Sequence, residues 1–119
     1  MGGLTGEERR TIRSALAVEL ERAEEQTSSL ARQFDDIVAA AEMSNIDDEH
    51  DPEGTTIAFE RAQVSALHSQ AIRDVAALRR TLTELDDAAF GACEQCGRPI
   101  GFERLVALPA TRRCVECAR

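Results

Sequence analysis

Four cysteines near the end of the chain constrain its fold more than any other feature. They form two pairs, Cys93/Cys96 and Cys114/Cys117, with the spacing C-x2-C-x17-C-x2-C. A C-x2-C segment is short enough to bring two sulfurs onto one metal ion, and the segment between the pairs can fold back to deliver the other two. Because Zn²⁺ takes four thiolates in a closed tetrahedron, the spacing predicts one structural zinc ion with no open position for catalysis.

A pair of disulfides is the alternative interpretation of the same cysteines. Disulfides are typical of secreted proteins, whose chains begin with an apolar leader. Residues 1–10 contain one large apolar residue after the initiator methionine, Leu4. The sequence therefore favours a reducing cytoplasm, and zinc over disulfides. Gly97, directly after the first pair, lacks a Cβ and so suits a tight turn around the sulfurs.

Two amphipathic stripes precede the cysteines. Beyond Thr5 and Glu8, which have the spacing of a capping box, apolar or small residues recur mostly three and four apart, as in a heptad pattern. The first stripe consists of Ile12, Leu16, Leu20, Ala23, Thr27, Leu30, Phe34, Ile37 and Ala41. The second consists of Val64, Leu67, Ala71, Val75, Leu78, Leu82, Leu85 and Ala89. It contains one four-four step, which would unwind a supercoil locally, and His68 is predicted to lie at the packing edge or surface.

The stripes predict two helices, near residues 5–44 and 55–90, with Gly91 ending the second after Phe90. Their similar lengths and the short polar segment between them predict an antiparallel pair. The expected fold is mainly α, with a long antiparallel helical coiled-coil hairpin over residues 1–89. A small C-terminal four-cysteine zinc finger, here called the finger, follows over residues 90–119. No apolar run approaches the roughly 18 residues that a membrane span needs, so no membrane association is expected.

An acidic turn, residues 45–54, separates the stripes. Residues 42–53 hold six acids and neither Lys nor Arg, in a chain of net charge −8. Such a patch argues against sequence-independent DNA binding, which needs a basic face, and favours a cationic or metal-containing partner surface. Asp51-Pro52-Glu53 has the pattern of a helix N-cap, a first-turn proline and a first-turn acid. Capping explains only part of the acidity, and the other acids are either functional or simply solvated.

The residues around the cysteines resemble the C4 zinc finger of the DksA/TraR family. The matching segments are Phe90-Gly91-Ala92-Cys93-Glu94-Gln95-Cys96-Gly97-Arg98-Pro99-Ile100, Arg104-Leu105-x-Ala107-x-Pro109 and Cys114-x-x-Cys117. The preceding hairpin with an acidic Asp-Pro turn agrees with the family in architecture. The resemblance implies a bacterial transcription regulator that binds RNA polymerase and not promoter DNA. It further implies that the coiled coil enters the secondary channel of the polymerase.

The resemblance also implies which residues act. The acids of the turn would approach the catalytic magnesium of the polymerase, and they are Asp47, Asp48, Glu49, Asp51 and Glu53. Arginines of the finger would rest near the channel rim, and they are Arg98, Arg104, Arg112 and Arg113. The family's Asp-Pro-x-Asp-x-Ala pattern fits the turn in two registers. Alignment on Asp51-Pro52 places Gly54 at the second acid, whereas Asp48-x-x-Asp51-x-Glu53 restores both acids and loses the alanine.

Other functions are weighed against this one. Longer family members continue into a helix that helps bind the alarmone ppGpp, whereas two residues follow Cys117 here, so a ppGpp response is not implied. A structural or adaptor coiled coil whose finger mediates assembly would self-associate without binding polymerase. A zinc-ribbon nucleic-acid binder is disfavoured by the acidic charge and the absence of Tyr and Trp. With every thiol assigned to zinc and no Ser/His/Asp arrangement, no enzyme activity is predicted.

Overall fold

The fold is mainly helical, as predicted. In a computed structural model, residues 3–44 and 52–119 are described. Two long helices, α1 (Gly6–Ser44) and α2 (Pro52–Glu84), precede two short ones, α3 (Phe102–Ala107) and α4 (Val115–Ala118). Over the described ranges there is no strand, and a single isolated antiparallel bridge joins Ala92 to Pro99.

The predicted capping box is present at the start of α1. The Glu8 N–H donates to Thr5 Oγ1 at 3.0 Å, and the Thr5 N–H donates to Glu8 Oε1 at 2.9 Å. The acids Glu7 and Glu8 lie in the first turn, where the helix dipole favours negative charge. α2 begins at Pro52, the residue predicted as its first-turn proline. Local sequence chemistry therefore accounts for where both long helices begin.

The apolar stripe of α1 faces inward along the helix. Each of its predicted members is buried or half-buried. Ile12 and Leu16 are 0% exposed and Leu30 is 3% exposed. Acids and arginines on the other faces, such as Glu21 and Arg22, are exposed. The 3.6-residue periodicity of this stripe therefore predicted the buried face of α1 correctly.

The stripe of α2 differs from the predicted one at a single turn. Leu67 is 51% exposed, whereas His68 is half-buried. With His68 in place of Leu67, the inward positions Val64, His68, Ala71 and Val75 follow at intervals of four, three and four. The predicted four-four step is therefore wrong. The prediction followed side-chain hydrophobicity, but the angular position in the helix decides which side chain is buried.

α2 ends at Glu84, six residues before the predicted end at Phe90. The backbone carbonyls just beyond it are bound from outside the helix, because Arg9 Nη1 donates to the carbonyl oxygen of Leu85 and, at 3.2 Å, to that of Asp87. Single turns with bonds three residues apart then replace the helical ladder. A guanidinium from α1 thus takes up the carbonyl groups that a longer helix would have used internally.

Gly91 has a role other than the predicted helix stop. Its φ is 96°, in the left-handed region that favours glycine, and its carbonyl accepts the Ile100 N–H at 2.7 Å. A Cβ at this position would lie 3.2 Å from Leu4 Cδ1 and 3.7 Å from Leu105 Cδ1. Gly91 therefore allows the N-terminal segment to approach the finger closely. Ala89, a predicted stripe member, is exposed because it lies beyond the end of α2.

Contacts divide the chain into two compact units. The first comprises Met1–Glu21 and Val75–Arg119, and so contains the start of α1, the end of α2 and the finger. The start of α1 lies beside the end of α2, with Arg13 Nη2 2.7 Å from Asp86 Oδ1, so the helices are antiparallel there. Its largest fully buried side chains are Ile12 and Leu16 of α1, Leu85 directly after α2, and Leu105 of the finger.

The second unit, Arg22–Asp74, contains the remaining parts of α1 and α2. Its most buried apolar residues are Leu30 and Ala71. Among the helices of the described residues, none combines the length and the apolar character needed to cross a bilayer. The predicted boundary between a hairpin over residues 1–89 and the finger stays a prediction.

Candidate metal centre

The first cysteine pair lies on a tight turn. The Cys93 N–H donates to the Arg98 carbonyl at 2.8 Å, and the Gly97 N–H donates to the Cys93 carbonyl at 2.9 Å. Gly97 has a φ of 77°, which a residue with a Cβ rarely adopts. The predicted role of Gly97 is therefore confirmed. With this turn, the sulfurs of Cys93 and Cys96 lie within 4.8 Å of each other.

The second cysteine pair lies at the start of α4. Cys114 is the N-cap residue, and its carbonyl accepts the Ala118 N–H at 3.0 Å. Cys117 lies within the single turn of this helix. The Glu94 N–H donates to the Arg112 carbonyl at 2.8 Å, so the backbone beside the first pair is bonded to the backbone just before the second. This cross-connection brings the two pairs together.

The four sulfurs all lie within 4.8 Å of one another. Cys96 Sγ and Cys114 Sγ are 3.7 Å apart. Zinc–sulfur bonds of about 2.3 Å in a tetrahedron place sulfurs about 3.8 Å apart, whereas a disulfide needs about 2.05 Å. None of the four cysteines is in a disulfide. The sulfurs are thus positioned to bind a metal ion, and the disulfide alternative finds no support.

Hydrogen bonds within the cluster change the acidity of its thiols. Bonds from the backbone of Cys114 and then of Cys96 lower the pKa of Cys93 from 9.0 to about 6, against an opposing contribution from burial. A backbone bond from Cys117 is the main cause of the lowered pKa of Cys114. The pKa of Cys117 is raised to about 12, chiefly by its hydrogen bond with the Cys114 side chain. Since metals bind thiolates, the backbone favours the ligand form at the two buried cysteines, Cys93 and Cys114.

Three of the predicted rim arginines lie on the surface of the finger or bind within it. Arg98 is exposed. Arg113 is exposed as well, with its Nε 3.2 Å from Glu94 Oε1. Arg104 is half-buried, and its Nε donates to the Arg113 carbonyl at 2.9 Å. Arg104 thus supports the backbone one residue before the second cysteine pair.

Arg112 contacts α2. Its Nη2 lies 2.5 Å from Glu84 Oε2, and the two side chains are 35% and 37% exposed. Sequence reasoning did not identify Glu84 or Arg9 as structurally important, since neither belongs to a local motif. Their partners lie 28 and 76 residues away in the chain, so no periodic or spacing signal marks them.

Five acids were predicted to act near the catalytic magnesium of the polymerase. Asp47, Asp48, Glu49 and Asp51 lie outside the described residues. Glu53 belongs to α2, and its side chain is outside the part of the chain that the structure describes. Their predicted role and the choice between the two registers stay predictions.

Comparison with known proteins supports this view of the finger. Residues 88–119 match the prokaryotic dksA/traR C4-type zinc finger. Over 40 residues, 34% of this chain, the sequence is 42% identical to the RNA polymerase-binding transcription factor DksA of Salmonella typhimurium and to that of Escherichia coli K12. The aligned part spans 26% of the length of each DksA protein. An uncharacterized protein of Aquifex aeolicus is 40% identical over 48 residues, which are 38% of this chain and 33% of that protein.

A likeness in fold extends over most of the chain. Transcription factor DksA2 from Pseudomonas aeruginosa superposes with a TM-score of 0.76 over 95% of this chain and 81% of its own. The two sequences are 16% identical, so the likeness concerns the fold. The resemblance stated from the sequence is therefore confirmed for the zinc finger by sequence and for the helical architecture by structure.

Proposed function

We propose, from the DksA/TraR C4-type zinc finger that residues 88–119 carry, that the chain is a bacterial transcription regulator that binds RNA polymerase directly. The observation that carries the proposal is the 42% identity to proteins named RNA polymerase-binding transcription factor, in the segment that contains the metal centre. The proposed place of action is the cytoplasm. The proposed partner is the polymerase and not promoter DNA. The proposal does not require that the chain respond to ppGpp.

One Zn²⁺ ion is the proposed occupant of the metal centre, with a ligand from each of Cys93, Cys96, Cys114 and Cys117. The mutual distances of their sulfurs and the lowered pKa values of Cys93 and Cys114 support this assignment. Four thiolates leave no position for water, so zinc, when bound, supplies folding free energy to the finger. The chain is accordingly proposed to act by binding and not as an enzyme.

The acidic turn is the proposed contact with the polymerase active site. Four of its acids precede α2 in the sequence, Asp47, Asp48, Glu49 and Asp51, and the fifth, Glu53, is in the first turn of that helix. Carboxylates are attracted into a channel that leads to bound Mg²⁺. α1 alone has 39 residues, and at 1.5 Å per residue its length is about 58 Å, enough to reach into such a channel. Entry into the secondary channel is therefore the proposed mode of action.

The finger is the proposed attachment surface at the channel rim. Arg98 and Arg113 are exposed there and can offer forked donors to carboxylates of a partner, and the Glu94 partner of Arg113 is itself exposed and replaceable. Arg104 and Arg112 are half-buried and bind the Arg113 carbonyl and Glu84. We therefore expect Arg98 and Arg113 to contribute more to attachment than Arg104 and Arg112.

Removing charge from the acidic turn tests whether the turn causes the transcription effect while the finger provides the attachment. We expect the double variant Asp48→Asn, Asp51→Asn to lose most of its effect in single-round transcription, because two carboxylates near the polymerase metal are gone. Its affinity for the polymerase should stay within about threefold of the wild type, since asparagine retains capping ability at a helix N-terminus and the finger is unchanged.

A matched control removes the same charge elsewhere. Asp35 and Asp36 are exposed on α1, and the double variant Asp35→Asn, Asp36→Asn should behave as the wild type in both assays. If the variant of the acidic turn retained the full transcription effect, the turn would be a solvated connection and the proposed mode of action would be wrong.

A further inference from the structure

We propose that the Arg112–Glu84 pair couples metal binding by the finger to the order of the end of α2. Arg112 and Glu84 are positioning residues in this view. They transmit the state of the metal centre to the place where α1, α2 and the finger meet. The proposal does not depend on RNA polymerase, so it can fail or succeed separately from the proposed function.

The backbone of Arg112 is bonded beside both cysteine pairs. It lies two residues before Cys114, and its carbonyl accepts the N–H of Glu94, the residue after Cys93, at 2.8 Å. The backbone position of Arg112 therefore depends on both cysteine pairs. Its guanidinium reaches out of the finger to Glu84 Oε2 at 2.5 Å. Loss of order in either cysteine pair would release this side chain.

Glu84 lies at the end of α2, which is contacted from outside the helix. It is the last residue of α2, and the following carbonyls of Leu85 and Asp87 accept hydrogen bonds from Arg9 of α1. Asp86 forms an ion pair with Arg13 of α1 at 2.7 Å. α1 and the finger thus bind adjacent residues at the end of α2. A cation beside a helix C-terminus is also favoured by the helix dipole.

The Arg112–Glu84 ion pair is less exposed than the neighbouring Arg13–Asp86 pair. The side chains of Arg112 and Glu84 are 35% and 37% exposed, against 48% and 75% for Arg13 and Asp86. Well-exposed pairs contribute little to stability, because water and salt screen them. Arg112–Glu84 is more shielded and has the shorter contact. It is therefore the better candidate of the two for transmitting a change from the finger to α2.

Hydrogen exchange of the full chain, with and without zinc, tests the coupling. The metal is removed with a chelator under reducing conditions, and amide exchange is followed over residues 81–87, with residues 26–36 as the internal reference. In the wild type, exchange over residues 81–87 should accelerate when zinc is removed. In Glu84→Gln, this metal-dependent acceleration should shrink by about two- to fivefold, the range expected for a partly shielded ion pair.

Two further variants make the result decisive. Glu116→Gln removes one negative charge from an exposed position of the finger and should keep the wild-type response. The reversed pair Glu84→Arg, Arg112→Glu restores opposite charges and should recover the metal dependence that Glu84→Gln loses. If the amide exchange rates of residues 81–87 in the wild type did not change on removal of zinc, the proposed coupling would be wrong. A Glu84→Gln variant with the full wild-type response, or a reversed pair that recovers none of it, would overturn the coupling as well.

Discussion

Cys114→Ser will abolish zinc binding and unfold residues 90–119, while α1 and most of α2 keep their helicity. Zinc supplies on the order of 10 kcal/mol to the folding of small finger modules, and Cys114 is both a buried sulfur of the cluster and the N-cap of α4. Elemental analysis, far-ultraviolet circular dichroism and limited proteolysis measure the three parts of this prediction. We expect rapid cleavage within the finger and a modest loss of helical signal.

Val115→Ser is the matched control for the cysteine variant. Val115 is 48% exposed in the same helix, so its replacement introduces serine beside the centre without removing a sulfur. This variant should retain zinc at the wild-type level. Wild-type protein purified without chelator that contains no zinc would contradict the metal assignment, and so would full zinc retention by Cys114→Ser.

Leu30→Ala will reduce the free energy of unfolding by roughly 2 to 4 kcal/mol, because a buried leucine side chain is replaced by a cavity. Leu67→Ala, in the same compact unit, should change it by no more than about 0.5 kcal/mol, because Leu67 is 51% exposed. Urea unfolding followed by circular dichroism measures both values. Equal effects of the two substitutions would show that the register of α2 is not the one described.

The Leu30 and Leu67 pair illustrates what periodicity predicts and where it fails. On α1 the apolar residues and the helical positions coincide, so the sequence predicted the buried face throughout. On α2 a leucine lies one residue away from the inward position, which a histidine occupies. A pattern based on hydrophobicity chose Leu67, whereas strict alternation by threes and fours would have chosen His68. Once a helix is established, the spacing of positions along it predicts the buried side chains better than hydrophobicity does.

The metal centre was predictable because its geometry is encoded locally. Short-range backbone bonds shape each C-x2-C pair, with a glycine of positive φ in the first, and all four cysteines meet as predicted. The end of α2 was not predictable in this way. It depends on Arg9, which binds the Leu85 carbonyl across 76 residues of sequence, and on Arg112 from the finger. Contacts of this kind follow from the tertiary fold and leave no trace in residue spacing.

The acidic turn shows a different limit. Its composition is evident from the sequence, but a cluster of carboxylates is equally compatible with a solvated turn and with a site that acts on a partner. The choice between the two registers concerns Asp48, Asp51 and Glu53, whose side chains are outside the described part of the chain. Function must decide between them, which is why variants of the turn are assayed on the polymerase.

Competition for RNA polymerase tests the central claim most directly. Purified wild-type chain is titrated against a fluorescently labelled protein known to occupy the secondary channel, bound to bacterial core polymerase. We expect displacement of the labelled protein by the wild type and by the Val115→Ser control, and none by Cys114→Ser, because the proposed attachment surface has unfolded. Failure of the wild-type chain both to displace the labelled protein and to bind the free polymerase would contradict the proposed function.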